Sequence, residues 1–254
     1  METVLIIGAT GNIGVASVLA VLRSKRNVLA VVRNQASANK LFQHIGSRDG
    51  ITTVEADVMS DQGVQTVVNQ VRAGKLPPFQ HVYSAGENPM HSALTLLIMR
   101  LPAGGAYGAT LLQNLSTIDL REFMTINFES NFFAYRATIP YLLEQKGLTS
   151  WTLCTGSQGD IGARAAPALT QGALFSMANV ACRDNADTNI RFNEVYLGAR
   201  VEVDSVAKQT GSMKASDFSS VYEEILSRPE IKGCRISVYT HEDLKDLKFR
   251  KKLD

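Results

Sequence analysis

Three glycines near the start of the chain have the spacing of a phosphate-binding turn. Gly8, Gly11 and Gly14 lie between one apolar run and a second, longer one. Gly8 would let the chain turn off a strand, Gly11 would let a pyrophosphate approach the backbone, and Gly14 would let helix and strand pack closely. An ordinary tight turn is the alternative. The residues predicted to contact a dinucleotide here are Gly8, Thr10, Gly11, Asn12 and Ile13.

The next residue that could contact a dinucleotide is Arg33, which follows the apolar run 28–32. An acidic residue at this strand end would accept a hydrogen bond from the ribose 2′-hydroxyl of NAD. An arginine would instead pair with the 2′-phosphate of NADP. Arg33 therefore predicts NADP(H), the alternative being a solvated arginine at a strand end.

A third group of polar residues follows the apolar stretch 150–154. Thr155 and Ser157 end this stretch, and Asp160 lies in the glycine-containing loop that comes next. A carboxylate at this point could stabilise a cationic substrate, or carry a proton if its pKa is raised. The alternative for Asp160 is a turn residue without a chemical role.

The elements that position these residues alternate between strand and helix along the chain. Such alternation predicts right-handed crossovers and a doubly wound α/β fold, a Rossmann fold with a mostly parallel sheet of about seven strands. We expect one domain over residues 1–254. The predicted strands are residues 4–7, 27–34, 51–56, 80–84, 150–157, 191–198 and 236–239, and the predicted helices include residues 15–22, 37–45, 61–71 and 118–144.

The composition is that of an ordinary globular protein. The 254 residues are 45% hydrophobic and 20% charged, with a net charge of +2, which gives no case for a nucleic-acid or membrane surface. No apolar run is long enough to span a membrane, and the first residues lead directly into a strand. The three scattered cysteines predict neither disulfides nor a metal site. We expect a cytoplasmic protein.

Further motifs resemble those of the short-chain dehydrogenase/reductase family, from about residue 3 to residue 240. The glycine turn is similar to that family's cofactor turn, and Asn127 to the structural asparagine of its fourth helix. Residues 191–198 resemble the late strand that ends near the nicotinamide. The resemblance adds to the cofactor contacts Asp57 and Val58 at the adenine, then Ser84, Ala85 and Gly86, and finally Gly198.

The resemblance breaks at the family's catalytic Tyr-x-x-x-Lys motif. Residues 171–178 are similar to the segment that begins at the lysine, so Gln171 stands at the lysine position and Pro167 at the tyrosine position. Proline has no proton to give, and a neutral amide cannot lower a neighbour's pKa as an ammonium does. No tyrosine lies between Tyr141 and Tyr196, so a shifted alignment does not restore the motif.

The remaining catalytic candidates are Asp160, Ser157 and Asn127. One interpretation is a protein that binds NADP(H) without catalysis. The other is an enzyme whose substrate needs no tyrosine. Hydride transfer to an iminium carbon is such a reaction, because the acceptor is already cationic. An apolar pocket could also promote a cyclisation or isomerisation by holding one conformer of the substrate.

The pattern also resembles a divergent branch of the family, the fungal reductase/Diels–Alderases of indole alkaloid pathways. Those proteins lack the tyrosine and lysine, use NADPH and rely on an acidic residue after the fifth strand, which Asp160 matches. They also use an arginine where this chain has Thr125. The resemblance implies an NADPH-dependent reductase of a hydrophobic imine, iminium or carbonyl intermediate in secondary metabolism. A Diels–Alderase-like cyclase and a non-catalytic NADP(H)-binding protein stay open.

Two apolar segments remain to be placed. Residues 90–113 are an apolar insertion at the ligand-binding edge, either a lid or pocket wall, or else a subunit contact or passive loop. The predicted helix 118–144 is apolar on more than one face. Since the family uses this helix for dimerisation, the resemblance implies a homo-oligomer. The alternative is a helix enclosed within its own domain.

Overall fold

The computed structural model describes residues 1–85 and 111–253 of the chain. The strands of this described part are β1 Thr3–Ile7, β2 Asn27–Val32, β3 Ile51–Glu55, β4 His81–Ser84, β5 Thr149–Gly156, β6 Ile190–Leu197, β7 Val201–Glu202, β8 Met213–Lys214, β9 Cys234–Val238 and β10 Phe249–Lys251. Eight of them form one sheet in the order β10-β9-β6-β5-β4-β1-β2-β3, and β7 pairs only with β8.

The sheet is parallel except at one edge, where β10 runs antiparallel to β9. Every residue of β1 is buried, as expected for a central strand covered on both faces. The chain reverses its direction of progress across the sheet between β1 and β4. In such sheets ligands bind at this switch point, beyond the carboxyl ends of the strands. The predicted doubly wound fold is confirmed, with one antiparallel edge strand that was not predicted.

Helices cover both faces of the sheet. The α-helices of residues 1–85 and 111–253 are α1 Asn12–Arg23, α2 Gln35–Ile45, α3 Gly63–Arg72, α4 Thr117–Phe123, α5 Ser130–Leu143, α6 Gln158–Ile161, α7 Ala165–Asp184, α8 Asp204–Thr210 and α9 Ala215–Ser227. One core lies between the sheet and helices α1 and α9, and the other between the sheet and helices α3, α5 and α7.

The predicted long helix 118–144 is interrupted. Between α4 and α5 the chain forms a π-helical segment, Met124–Glu129, which contains Asn127. In a π segment the backbone hydrogen bonds join residues five apart rather than four, and such segments occur frequently at functional sites. The apolar pattern could not reveal it, because the pattern reports which residues are buried and not the backbone hydrogen bonds.

Some expectations fall on residues 86–110, outside the described part of the chain. They are the cofactor contact Gly86 and most of the insertion predicted at residues 90–113. The end of that insertion leads into a short 3-10 turn, Leu112–Asn114. No helix in residues 1–85 and 111–253 combines the length and apolarity needed to cross a membrane.

Candidate functional site

The glycine turn connects β1 to α1 with a backbone that other residues would not adopt. Gly8 has φ +74°, a conformation that L side chains rarely adopt. A Cβ on Gly14 would lie 2.1 Å from the carbonyl oxygen of Gly8, so this position requires glycine. Gly11 is the N-cap of α1, and no side chain caps this helix end. An open helix start with little side-chain bulk fits a pyrophosphate group.

The other predicted residues of the turn are held by the neighbouring structure. Asn12 accepts a hydrogen bond from the backbone N–H of Val203 through its Oδ1 atom, at 3.3 Å. This contact joins the turn to the segment that follows β7. Ile13 packs against the core on the α1 face, and Thr10 is half-buried.

The residues predicted to contact the adenosine follow β2 and β3. Arg33 is exposed directly after β2, and Asp57 is exposed shortly after β3. The Asp57 carboxylate accepts a hydrogen bond from the N–H of Met59 at 3.0 Å, while Val58 is buried. Because β1, β2 and β3 are parallel neighbours, these residues lie along the same edge of the sheet as the glycine turn.

Beyond β4, a chain of hydrogen bonds joins two of the predicted residues. The buried Ser84 hydroxyl donates to Asn131 Oδ1 at 2.6 Å, and Asn131 Nδ2 donates to the carbonyl oxygen of Asn127 at 2.7 Å. The Asn127 amide in turn reaches Thr170 Oγ1 on α7 at 3.4 Å. Ala85 closes the strand end, since its N–H donates to Ile7 at 3.2 Å. Asn127 therefore links the π segment to β4 and α7.

Ser157 and Asp160 lie together at the carboxyl end of β5. The Ser157 N–H donates to the carbonyl of Leu197, which joins the ends of β5 and β6, and the Asp160 N–H donates to the carbonyl of Ser157. The side chain of Asp160 is 56% exposed, so its carboxylate is accessible from the edge of the sheet. Ser157 is the N-cap residue of the short helix α6, which contains Asp160.

Pro167 and Gln171, which were predicted to replace the family's tyrosine and lysine, lie on α7. The Gln171 Oε1 atom accepts a hydrogen bond from the N–H of Gly156 at 2.6 Å, at the end of β5. The Pro167 carbonyl accepts a hydrogen bond from Thr170. Both residues therefore make local structural contacts, and neither presents an ionisable group.

A charged cluster lies beside Asp160 and was not predicted from the sequence. Arg235, on β9, donates from Nε and Nη2 to the carboxylate of Glu194 on β6, at 2.9 and 3.1 Å. Its Nη1 atom lies 3.9 Å from Asp160 Oδ2. Burial and the neighbouring Asp160 carboxylate raise the pKa of the Tyr196 hydroxyl to about 12. Asp160 thus faces both a guanidinium and a phenol.

Glu194 is fully buried and has further partners. It accepts hydrogen bonds from Thr155 Oγ1 at 2.7 Å and from the ammonium of Lys252, which follows β10. Burial lowers the pKa of Lys252, against the opposing attraction of Glu194. An acidic residue inside an otherwise buried strand was the available signal for this cluster, because buried charges need partners.

Gly198 has a packing reason to be glycine. A Cβ at this position would lie 2.3 Å from the ring of Tyr239, and the Gly198 N–H donates to Val238 at 2.8 Å. The Tyr239 ring is 55% exposed and lies 5.8 Å from the ring of Tyr196. Gly198, a predicted cofactor contact, thus also packs against the Tyr239 ring beside the charged cluster.

The known proteins that this chain resembles in sequence are short-chain dehydrogenases. The profile of the short chain dehydrogenase family matches residues 2–212. The short-chain dehydrogenase/reductase iacG of Pestalotiopsis fici is 50% identical over 256 residues, covering 99% of this chain and 96% of that protein.

Solved structures share the fold at low identity. A short-chain dehydrogenase/reductase of the glucose/ribitol dehydrogenase type from Brucella melitensis has a TM-score of 0.70 at 20% identity, covering 93% of this chain and 94% of that one. ElxO with NADP bound has a TM-score of 0.72 at 16% identity, with coverages of 91% and 93%.

Proposed function

Because the chain belongs to the short-chain dehydrogenase family, we propose that it is an NADPH-dependent reductase of a hydrophobic small molecule. The family and the named relative support an oxidoreductase of the reductase type. The proposed substrate is an imine, iminium or carbonyl intermediate of secondary metabolism. The observation that carries the proposal is the pairing of a glycine turn fitted to a pyrophosphate with an exposed carboxylate, Asp160, at the same edge of the sheet.

The cofactor proposal depends on the glycine turn and on Arg33. Gly11 begins α1 without a side-chain cap, so the first N–H groups of the helix would be available to phosphate oxygens. The exposed guanidinium of Arg33 would pair with a 2′-phosphate, which NADPH has and NADH lacks. NADPH would supply the hydride. A structural neighbour, ElxO, was solved with NADP bound, which agrees with a nicotinamide cofactor.

We also propose that the reaction proceeds without the tyrosine that serves as the family's usual acid. This part of the proposal depends on Pro167 and Gln171 on α7 and on Asp160 on α6. Gln171 is engaged with the backbone of Gly156, and Pro167 offers no proton. Asp160 would face the substrate, with Ser157 and Asn127 nearby in the hydrogen-bonded framework of the site. A carboxylate stabilises positive charge, so an iminium or protonated imine is the substrate type that the site favours.

The experiment follows NADPH absorbance while the mass of the product is measured. Purified protein is incubated with NADPH and a panel of cyclic imines, iminium ions, enones and ketones. NADPH oxidation with a product that is two hydrogens heavier than an imine, enone or ketone, or one hydrogen heavier than an iminium ion, supports the reductase. Conversion at constant mass would support a cyclase or isomerase instead. Binding of NADPH without turnover across the panel would support a non-catalytic NADP(H)-binding protein.

The proposal includes a cytoplasmic homo-oligomer. Large apolar side chains on α5 and α7 are exposed in the single chain, among them Phe132 at 39% and Val180 at 59%. Exposed apolar residues on neighbouring helices are suited to a subunit contact. Light scattering coupled to gel filtration gives the mass of the protein in solution. A monomer at micromolar concentration would contradict the proposed homo-oligomer.

A further inference from the structure

The segment that follows β6 and Gly198 lies beside the glycine turn. In this β7–β8 segment, residues 201–214, β7 pairs in parallel with β8, and α8 connects the two strands. Val201, Val203 and Met213 are buried in the core that also contains the apolar residues of α1. The β7–β8 segment is therefore packed against the helix that begins at the glycine turn.

Side-chain hydrogen bonds hold α8 within this segment. The side chain of Glu202 is 7% exposed and accepts a hydrogen bond from the hydroxyl of Thr210, the last residue of α8. Asp204, the first residue of α8, accepts a hydrogen bond from the N–H of Ser216 on α9 at 3.0 Å. Both ends of α8 are held in this way, which fixes the position of Val203 directly before the helix.

One hydrogen bond joins this fixed position to the glycine turn. The N–H of Val203 donates to the Oδ1 atom of Asn12 at 3.3 Å. Because a backbone N–H can only donate, this contact assigns the oxygen of the Asn12 amide to Val203 and turns the Nδ2 atom away from it. The Nδ2 group makes no hydrogen bond with residues 1–85 or 111–253.

The Asn12 amide is next to the backbone groups that would hold a pyrophosphate. Asn12 is the first residue of α1 and directly follows the N-cap residue Gly11, which provides no side-chain cap. The first turn of α1 contains no acidic residue that would repel a phosphate. The Nδ2 group thus adds two N–H donors to those at the start of the helix.

We propose that the Val203 N–H positions the Asn12 amide for a pyrophosphate and so couples dinucleotide binding to the β7–β8 segment. The proposal rests on the proposed NADPH site but not on the reductase reaction. The segment and the phosphate would use opposite ends of one amide, and such coupling is reciprocal. Bound NADPH should stabilise the segment, and loss of the Val203 contact should weaken NADPH binding.

The first experiment removes the donor and keeps Asn12. Proline lacks an N–H and fits the φ of −56° at Val203, so Val203→Pro deletes this hydrogen bond. We expect the Kd of NADPH, measured by isothermal titration calorimetry, to rise about fivefold, the effect of one hydrogen bond. Val203→Ala is the matched control, because it loses the valine packing and keeps the N–H, and its Kd should stay close to that of the wild type. A folded Val203→Pro protein with the Kd of the wild type would overturn the proposal.

The second experiment changes the amide and does not require Val203→Pro to fold. Asn12→Asp keeps an oxygen for Val203 but replaces the Nδ2 donors by an acceptor, so the Kd of NADPH should rise at least about tenfold. Without cofactor, hydrogen–deuterium exchange of residues 199–207 should match the wild type in Asn12→Asp and be faster in Asn12→Ala. Exchange of α3 should stay the same in both variants.

The same exchange measurement with saturating NADPH separates coupling from direct contact with the cofactor. NADPH should slow exchange of residues 199–207 in the wild type, and this slowing should be lost in Asn12→Ala although the cofactor is bound. Equal slowing in the two proteins would overturn the coupling. A wild type that binds NADPH with slowed exchange but turns over no substrate would contradict the reductase and support the coupling. A wild type that does not bind NADPH would contradict both.

Discussion

At the scale of the residue, the side chain of Asp160 is 56% exposed at the carboxyl end of β5 and lies 3.9 Å from the guanidinium of Arg235. A carboxylate in this setting is suited to stabilising a cation, and this effect strengthens when bound substrate excludes water.

We predict that Asp160→Asn lowers turnover about a hundredfold or more, the usual scale for one electrostatic or acid–base group. The substitution keeps the shape and removes the charge, so NADPH affinity should barely change. Steady-state kinetics and fluorescence titration measure the two quantities. Asp61→Asn is the matched control, because Asp61 is 58% exposed and lies 3.8 Å from Arg136. Full activity of Asp160→Asn would mean that another residue provides the charge.

Gln171→Ala tests whether Gln171, which was predicted to replace the family's lysine, takes part in the chemistry. The lost contact is the hydrogen bond to the Gly156 N–H, so we expect a loss of stability of about 1 kcal/mol and a mild effect on turnover. Thermal unfolding and kcat are measured on the same preparation. A large loss of kcat in a variant of nearly normal stability would place Gln171 in the catalytic machinery.

Cofactor preference depends on Arg33. We predict that Arg33→Ala weakens NADPH binding by about 1.5–3 kcal/mol, the range of a hydrogen bond to a charged group. NADH lacks the 2′-phosphate, so its affinity should stay the same and serves as the internal control. Isothermal titration calorimetry gives both affinities. Equal affinities of the wild type for NADPH and NADH would remove the basis of the prediction.

At the scale of the element, the glycine turn shows what sequence can specify. Gly8 and Gly14 were predicted from their spacing after an apolar run, and the structure gives the reasons, a positive φ and the absence of space for a Cβ. Such constraints are local, since they involve residues within one strand, one turn and one helix. Constraints of this kind can be recognised from the types and spacing of neighbouring residues, so β1, the glycine turn and α1 were predictable from the sequence.

The charged cluster at Glu194 could not be predicted in this way. Arg235 and Lys252 lie 41 and 58 residues beyond Glu194, and only the register of β6, β9 and β10 brings the three together. The alternation of side chains along a strand places Tyr196 on the same face of β6 as Glu194. Alternation alone does not show that Tyr196 lies next to Asp160. The π segment at Asn127 was likewise invisible, because its apolar residues fit an α-helix as well.

We predict that Gly14→Ala disrupts the turn and abolishes dinucleotide binding. The added Cβ would lie 2.1 Å from a backbone oxygen, so α1 has to move away from β1, at a cost of about 1–3 kcal/mol or more. Gly172→Ala is the control, because Gly172 lies in helix α7 with nothing within 4 Å of the new Cβ. Thermal unfolding and NADPH titration distinguish the two. A Gly14→Ala protein with normal NADPH affinity would show that the turn does not hold the phosphates.

At the scale of the whole molecule, the carboxyl ends and the amino ends of the parallel strands carry different ionisable groups. The charged cluster and Asp160 lie at the carboxyl ends, whereas a buried histidine, His81, lies at the amino end of β4. Its Nδ1 atom lies 2.9 Å from the Ser150 hydroxyl, and its Nε2 atom lies 3.4 Å from Glu2. Burial lowers the pKa of His81 to about 4, although the Glu2 carboxylate acts in the opposite direction. His81 is therefore neutral in the folded protein at neutral pH.

This histidine makes the stability of the fold depend on pH. The unfolded chain takes up a proton on His81 near pH 6.5, whereas the folded protein does so only near pH 4. The unfolded state thus binds more protons in this window, and the free energy of unfolding falls as the pH drops, by about 3 kcal/mol in total. We predict that urea unfolding at pH 7, 6 and 5 shows about 2 kcal/mol of this loss and that His81→Gln flattens it. His241→Gln, at an exposed histidine, is the control and should keep the slope of the wild type. An unchanged slope in His81→Gln would assign the pH dependence to other groups.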